Sequence, residues 1–235
     1  MTKSIAFIHA RGGSKRIPRK NIKMFHGKPL IAYPIQTALS SGIFDKVIVS
    51  TDDQEIADIA IKHGAEVNTL RPAHLSNDTA TTDEVFIHDI KKELENGDFD
   101  YACCIYGTSV FLDSDYLAKA LDVLKSEPEL HNVNSITEYD FSIFRALKET
   151  NEGVIEFINP EHRLTRSQDL PDAYHDAAQF YFVNVQSYLN NPRVFSDGGT
   201  KGIKIPHYKI VDIDTPDDWV RAEMVYQSLH GQPNP

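Results

Sequence analysis

The sequence predicts an α/β protein built on a doubly wound, mainly parallel sheet. Apolar runs of strand length alternate with segments of helical periodicity through most of the chain. One run, Tyr101–Tyr106, is continuously apolar, as expected of a central parallel strand covered on both faces. The 235 residues contain no internal repeat or low-complexity tract, so residues 1–235 are predicted to form one domain.

The first half of the chain supplies these elements in alternating order. Apolar, β-branched runs predict strands at Ser4–His9, 45–50, 65–70 and Tyr101–Tyr106. Amphipathic stretches predict helices at 30–39, at 54–63 after an Asp53 cap, at Thr82–Leu94 and at 116–124.

The rhythm changes at about residue 138. Short strand-like pieces at 143–147 and 154–157 precede a polar loop at 159–171, so residues 138–171 are predicted to be an insertion. Its aromatic and aliphatic side chains exceed what a short excursion on a monomer usually exposes, which predicts a homodimer formed through it. Strand character resumes at 179–185 and 208–213, and Pro216 begins a closing helix to residue 224.

Composition excludes several classes of protein. The formal net charge of −10 argues against a nucleic-acid partner, since such binding needs many cations. No apolar run approaches the ~20 residues of a membrane span, and the first residues do not form a secretory leader. We therefore expect a cytoplasmic protein that binds neither nucleic acid nor membrane. Cys103 and Cys104 are adjacent in an apolar strand and are predicted to be core residues.

The segment 10–21, ARGGSKRIPRKN, follows the first strand and sets five cations around a Gly-Gly pair. Glycines let backbone N–H groups approach an anion, and lysine and arginine supply charge. The spacing fits neither the dinucleotide fingerprint nor the P-loop. The segment therefore predicts a different polyphosphate site at the carboxyl end of a strand. A solvated basic loop, or one that touches nucleic acid, is the alternative.

A second candidate site is the acidic pair Asp212 and Asp214. In a strand, residues i and i+2 share a face, so both carboxylates would point the same way while Ile213 turns inward. Magnesium favours a few carboxylates together with substrate phosphates and water. The pair predicts a Mg²⁺ site, although Asp214 could instead cap the helix that begins at Pro216. Asp52 and Asp53 form another acidic pair, for which a structural role is the better interpretation.

Taken together, the motifs resemble the acylneuraminate-type cytidylyltransferases, which activate nonulosonic acids as CMP-sugars. The resemblance covers nearly the whole chain and rests on these segments in order: ARGGSKRIPRKN, VIVSTDDQEIADIA, LRPAHLSNDTATTDEV, IYGTSVFLD, RSQDLPDAYHDAAQFYFV and VDIDTPDDW. Within the family, the chain is most similar to members that act on pseudaminic acid. The resemblance implies a Rossmann-like fold of the nucleotide-diphospho-sugar transferase type. It also implies CTP and a nonulosonic acid as substrates, and an inserted dimerisation subdomain that reaches toward the partner's active site.

The resemblance also implies roles for individual residues. Those expected to bind the nucleotide are Ala10, Arg11, Gly12, Gly13, Ser14, Lys15, Lys20, Asn21, Arg71, Asp78 and Thr79. Those expected to bind the sugar are Tyr106, Gly107, Thr108, Arg166, His175 and Gln179, with Arg163 an alternative to Arg166. Lys20, Arg11 and Asp212 are the expected catalytic residues, and Asp212 and Asp214 the expected Mg²⁺ ligands. The base that deprotonates the sugar hydroxyl stays open between Asp212 and a metal-bound hydroxide.

The sugar is predicted from the aromatic character of its expected pocket. Tyr106 stands where neuraminate-activating relatives carry glutamine, and Phe180, Tyr181 and Phe182 are expected to face the same cleft. A pocket of this kind favours a less hydroxylated acceptor such as pseudaminic acid. The alternatives are the same reaction with legionaminic, N-acetylneuraminic or 3-deoxy-octulosonic acid, and a non-catalytic CTP-binding regulator.

Overall fold

A computed structural model describes residues 2–231. Its strands are β1 (Ser4–His9), β2 (Met24–Phe25), β3 (Lys28–Pro29), β4 (Lys46–Ser50), β5 (Tyr101–Tyr106), β6 (Asn132–Glu138), β7 (Leu147–Glu149), β8 (Ile155–Phe157), β9 (Tyr174–Asn184) and β10 (Thr200–Lys204). Its α-helices are α1 (Ala32–Ser40), α2 (Gln54–Lys62), α3 (Thr82–Leu94), α4 (Ser114–Ser126), α5 (Val185–Asn190) and α6 (Pro216–His230).

Six strands form the central sheet in the order β10-β6-β9-β5-β1-β4. β1 pairs in parallel with both β4 and β5, and β10 pairs in parallel with β6. Only β9 runs antiparallel to its two neighbours in this sheet. The predicted Rossmann-like, mainly parallel α/β fold is therefore confirmed. The chain leaves β1 toward one edge of the sheet and β5 toward the other, and α/β sheets bind ligands where such strands diverge.

Helices cover both faces of the sheet because alternate residues of each strand point to opposite sides. Ala6 and Ile8 of β1 pack in a core with buried residues of α1, α2 and α4. Ile5 and Phe7 pack in a second core with buried residues of α3 and α5. Cys103 and Cys104 divide between these two cores, are fully buried and are not joined by a disulfide, as predicted.

Two predicted strands are wrong. Residues 65–70 contribute one isolated parallel bridge, Ile48 with Glu66, after which Asn68 turns its side chain to Glu93 instead of continuing a ladder. Residues 208–213 begin in a 3₁₀ turn, His207–Lys209, and continue as chain outside the sheet. The buried apolar residues of that stretch include Val211 and Ile213, which pack against Trp219 of α6. Their apolar pattern therefore reflects burial and not strand pairing.

Other boundaries differ more modestly. Residues 143–147 hold a 3₁₀ turn, Ile143–Arg145, followed by the start of β7. The predicted strand at 179–185 begins earlier, at Tyr174, and the closing helix extends to His230. Both β6 and β10 were missed. Four polar residues of β6 are buried in place of the apolar residues that would have indicated a strand, namely Asn132, Asn134, Ser135 and Thr137.

The predicted insertion lies between β6 and β9 and consists of the β7–β8 hairpin and several 3₁₀ turns. The hairpin is amphipathic, because its register places Leu147 opposite Phe157 on one face while Lys148 pairs with Glu156 on the other. The insertion exposes large apolar side chains at Tyr139, Phe141, Ile143, Leu147, Val154, Ile155, Ile158 and Leu164. In the described part of the chain, no helix has the length and hydropathy needed to cross a membrane.

Candidate active site

A cleft of about 510 Å³ opens where β1 and β5 end. Its walls come from the basic loop after β1, from the loop after β5 and from the segment before α6. The lining residues are His9, Arg11, Ser14, Lys15, Arg16, Ile17, Lys20, Asn21, Asp78, Tyr106, Gly107, Thr108, Asp212 and Asp214. The cleft thus brings together the two candidate sites predicted from sequence, the cationic loop and the acidic pair.

The basic loop is held by the acidic segment that follows β4. The Gly12 N–H donates to Asp52 Oδ1 at 2.8 Å, and a Cβ on Gly12 would lie 2.8 Å from Asp53 Oδ2. Gly12 is therefore required by close contact with Asp53. Asp53 caps α2 by accepting from the Ile56 N–H at 3.0 Å and also accepts from the guanidinium of Arg19. The structural interpretation of Asp52 and Asp53 agrees with these contacts.

The five cations of the loop divide into two sets. Arg19, whose backbone is left-handed at φ 56°, turns to Asp53 and Glu55 and does not line the cleft. The other four face the cleft, where they pair with two carboxylates. Asp78 accepts from Arg11 Nη1 at 2.9 Å and from Lys15 Nζ at 2.5 Å.

Asp214 accepts from the other two cations. Arg16 Nη2 lies 2.6 Å from Asp214 Oδ2, and Lys20 Nζ lies 3.0 Å from Oδ1. Lys20 also donates to the Ile213 carbonyl at 2.5 Å, and its side chain is only 15% exposed. Each of these four cations thus has a carboxylate partner.

The acidic pair keeps its predicted geometry although it does not lie on a strand. Ile213 is fully buried, while Asp212 and Asp214 both line the cleft. Burial would raise the pKa of Asp214, but hydrogen bonding and charge from Lys20 and Arg16 outweigh it and lower that pKa. Burial, followed by repulsion from Asp214, raises the pKa of Asp212. Asp212 is nevertheless exposed to solvent, so screening by water weakens this rise in its pKa.

The residues present suit a magnesium ion that shares its shell with a ligand. The Asp212 carboxylate accepts no hydrogen bond or ion pair from residues 2–231, so its oxygens are free for a cation. No group of three or more His, Cys, Asp or Glu side chains in the described chain could enclose a metal ion. Two carboxylates completed by phosphate oxygens and water is the arrangement that Mg²⁺ favours.

Asn21 and Gly107 join the two main walls of the cleft. Asn21 is buried, and its Nδ2 donates to the Arg11 carbonyl at 3.0 Å. A Cβ on Gly107 would lie 2.9 Å from Asn21 Oδ1 and 3.0 Å from the His9 carbonyl. Any side chain at position 107 would collide with these atoms, so the packing here requires glycine.

A smaller recess of about 240 Å³ continues from the cleft past His9 and Tyr106. Arg71 lies in it, buried, with Nε 3.3 Å from Ser76 Oγ. Burial lowers the pKa of Arg71. Arg71 thus lies beside the cleft, and its role in binding the nucleotide stays a prediction.

Tyr106 lies between the cleft and this recess. Its hydroxyl is 2.8 Å from Thr82 Oγ1, and its ring packs edge-on against Tyr181 at 5.7 Å between centroids. Burial raises the pKa of both phenols, so both hydroxyls are neutral hydrogen-bonding groups. The prediction that Phe180 and Phe182 face the cleft is wrong. They alternate with Tyr181 along β9 and are fully buried in the opposite core.

Eight expected site residues do not line this cleft: Ala10, Gly12 and Gly13 at the start of the basic loop, Arg71 in the adjoining recess, and the four described next. Arg166 is exposed in the insertion, and His175 packs on Tyr139 at its base. Gln179 is buried and donates to the Lys209 carbonyl at 3.0 Å, with its Oε1 unpaired. Thr79 donates to Asn77 Oδ1 within a turn.

His9 is the cleft residue that sequence reasoning missed. Its Nε2 lies 3.1 Å from Asp89 Oδ2 and its Nδ1 lies 3.4 Å from Cys104 Sγ. The sequence did offer one indication of this role: His9 is a polar residue at the end of an apolar strand, next to the basic loop. Arg16 was recognised as a loop cation, but its contact with Asp214 could not be foreseen.

Comparisons with known proteins agree on one family. Residues 5–227 match the family model described as cytidylyltransferase. The chain is 38% identical to the pseudaminic acid cytidylyltransferase of Campylobacter jejuni subsp. jejuni serotype O:2, across 97% of this chain and 98% of that protein. It is 29% identical to the CMP-N,N'-diacetyllegionaminic acid synthase of Legionella pneumophila, across 95% and 96% of the two chains. A solved structure of CMP:2-keto-3-deoxy-manno-octonic acid synthetase complexed with CTP shares the fold, with a TM-score of 0.70, 18% identity and coverage of 96% and 100%.

We predict that Asp53→Ala lowers the free energy of unfolding at pH 7 by about 1 kcal/mol through loss of the α2 cap.

Asp53→Asn keeps a capping oxygen and removes only the charge that Arg19 stabilises. Hydrogen bonding to Arg19 lowers the folded pKa of Asp53 below its ordinary 3.8. The charge therefore stabilises the fold fully above pH 3.8, and its contribution is lost as the pH falls through the lower folded value. Urea unfolding of wild type and Asp53→Asn from pH 7 to pH 3 should show their difference shrinking below pH 3.8; a difference independent of pH contradicts this role.

Proposed function

The chain belongs to the cytidylyltransferase family and is a nucleotidyltransferase; on that premise we propose that it transfers CMP from CTP to pseudaminic acid and releases pyrophosphate. The observation that carries the proposal is a cleft in which four cations of the basic loop meet the carboxylates of Asp78, Asp212 and Asp214. Arg11 and Lys15 pair with Asp78, and Arg16 and Lys20 pair with Asp214. The substrates named for the related Campylobacter enzyme supply the choice of sugar.

We place the triphosphate of CTP along the basic loop. Arg11 and Lys15 lie at its outer part, and Lys20 lies deeper, next to the acidic pair. This order suits Arg11 and Lys15 to the leaving pyrophosphate and Lys20 to the α-phosphate. The cytidine is assigned by the family resemblance, and not by this order, to the recess that contains Arg71.

Asp212 and Asp214 are the residues that would hold Mg²⁺. When bound, the ion supplies positive charge that offsets the triphosphate and eases the departure of pyrophosphate. Lys20 and Arg16 now share Asp214. Both cations gain phosphate oxygens as alternative acceptors once CTP is present.

The proposed reaction is attack of the anomeric C2 hydroxyl oxygen of the sugar on the α-phosphorus. An O–P bond forms there while the bond to the pyrophosphate oxygen breaks. Lys20 stabilises the charge that develops on the α-phosphate, and Arg11 stabilises the charge on the leaving group. The hydroxyl proton leaves as the O–P bond forms, and Asp212, which lines the cleft, is the candidate base among the residues of this chain. Positioning and electrostatic stabilisation suffice, with no covalent enzyme intermediate.

The sugar subsite is proposed beside Tyr106, Gly107 and Thr108. Tyr106 presents its aromatic ring to this subsite, and the buried Tyr181 packs edge-on behind it at 5.7 Å between centroids. A pocket with this lining suits the deoxy tail of pseudaminic acid better than a polyhydroxylated tail.

A homodimer and a cytoplasmic location remain part of the proposal. Arg166 and His175 lie away from the cleft of their own chain, on and beside an insertion whose apolar side chains are exposed. We propose that the insertion packs against a second copy, so that Arg166 reaches the partner's cleft.

A panel of substrates tests the proposed function directly. Pyrophosphate should be released faster from CTP than from UTP, ATP or GTP. We expect kcat/KM for pseudaminic acid to be at least about tenfold that for N-acetylneuraminic acid, because one unpaired buried hydroxyl costs about 1–3 kcal/mol. Equal values for the two sugars would refute the choice of sugar. CTP binding with no release of pyrophosphate from CTP in the presence of any of the sugars would instead favour a non-catalytic CTP-binding protein.

Lys20→Ala should lower kcat by about 10²–10³ while changing the Kd for CTP much less, since Lys20 is proposed to act on charge that develops in the transition state. The matched control is Lys23→Ala, because the Lys23 ammonium stacks on Trp219 and does not line the cleft. Steady-state kinetics and calorimetric CTP titration separate the two effects. An unchanged kcat would remove Lys20 from the catalytic role.

Asp212→Asn should shift the activation of pyrophosphate release to higher Mg²⁺ concentrations, because an amide oxygen is a poorer ligand for this hard dication than a carboxylate. Asp217→Asn is the control: Asp217 lies in the first turn of α6 but does not line the cleft. Superimposable Mg²⁺ activation curves for wild type and Asp212→Asn would show that the metal is held elsewhere.

Ile155→Glu should convert the dimer to a monomer, since Ile155 is 58% exposed on the apolar face of the β7–β8 hairpin. Lys148→Ala alters the opposite face of the same hairpin and should leave the dimer intact. Light scattering after size-exclusion chromatography at micromolar concentration distinguishes the two states. A monomeric wild-type protein, or a dimeric Ile155→Glu variant, would contradict this interface.

A further inference from the structure

Asp78 has the same sign of charge as the proposed ligand, but unlike Asp212 and Asp214 it is not proposed to hold Mg²⁺. Both of its carboxylate oxygens are engaged, one by Arg11 at 2.9 Å and the other by Lys15 at 2.5 Å. These two cations are the ones proposed to receive the pyrophosphate portion of CTP. A carboxylate repels phosphate, so Asp78 cannot bind the phosphates of the nucleotide directly. Its expected role in nucleotide binding must therefore be indirect.

The contact is built into a defined turn. Asn77 Oδ1 accepts from the Thr79 N–H at 2.9 Å, the Thr79 hydroxyl at 2.9 Å and the Ala80 N–H at 2.8 Å. The Asn77 carbonyl also accepts from Arg11 Nη1 at 3.0 Å. Asn77 therefore closes the turn and holds Asp78 over the basic loop.

The same contact can be exchanged at low cost. The side chains of Arg11, Lys15 and Asp78 are 41%, 78% and 51% exposed. Ion pairs this exposed are weak, so a multiply charged phosphate chain can replace the single carboxylate. Hydrogen bonds from Lys15 and then Arg11 lower the pKa of Asp78, so it stays charged and competes at neutral pH.

We propose that Asp78 is an internal competitor for the phosphate-binding cations, displaced from Arg11 and Lys15 when CTP enters and returning to them as pyrophosphate leaves. The inference rests on the proposed function, since it concerns the same cleft. It gives Asp78 two effects: it keeps the like-charged loop neutralised when the cleft is empty, and it weakens the binding of the released pyrophosphate.

Calorimetric titration with inorganic pyrophosphate tests the inference without requiring turnover or a sugar. At fixed Mg²⁺ and ionic strength, Asp78→Asn should bind pyrophosphate about three- to tenfold more tightly than wild type, the range expected for removing two exposed ion pairs. Asp78→Glu keeps the charge and should stay close to wild type. The matched control is Glu127→Gln, which removes another exposed ion pair, with Lys201, at the β10 edge of the sheet.

Three results would overturn the inference. Unchanged or weaker binding by Asp78→Asn would show that Asp78 does not compete for Arg11 and Lys15. Equal tightening in Glu127→Gln would show an effect of net charge alone. If neither wild type nor Asp78→Asn binds pyrophosphate, the cleft is not a polyphosphate site and the proposed function loses its basis. If Asp78→Asn binds pyrophosphate as wild type does, only the inference about Asp78 fails and the proposed function is unaffected.

Discussion

The structure depends on neutralising a short loop that carries five like charges. Cations at positions 11, 15, 16, 19 and 20 repel one another, and the loop is ordered because carboxylates from distant parts of the chain meet it. Asp53 comes from the end of β4, Asp78 from the turn before α3, and Asp214 from the segment before α6. The doubly wound topology brings these three regions to the carboxyl end of β1. Fold and charge balance therefore specify the same cleft.

The sequence could predict those elements in which burial and secondary structure coincide, and it could not predict the others. Strong apolar periodicity defined β1, β5 and α3 to the residue, because in these elements burial and secondary structure coincide. The run at 208–213 is also apolar, but it is buried beneath α6 without a strand partner. The reverse holds for β6, where buried asparagine, serine and threonine side chains hide a strand that pairs on both edges.

The candidate site shows the same division. Residue types alone predicted a cationic loop and an acidic pair, and those two features do share a cleft although the acidic pair does not follow a strand. The direction of each side chain needed the fold. Arg19 turns to Asp53 while its neighbour Lys20 turns to Asp214, and alternation along β9 sends only Tyr181 toward Tyr106. The contact of His9 with Asp89 depends on the packing of α3 on the sheet, which no local pattern reveals.

A crystal structure of the chain with CTP and Mg²⁺ is the most direct test of the central claim, that the neutralised basic loop is the triphosphate site. The account predicts an α-phosphate oxygen at about 2.7–2.9 Å from Lys20 Nζ, the usual length of such a charge-assisted hydrogen bond, with the outer phosphates on Arg11 and Lys15. A triphosphate bound outside this cleft, with Lys20 still donating only to Asp214 and the Ile213 carbonyl, would contradict it.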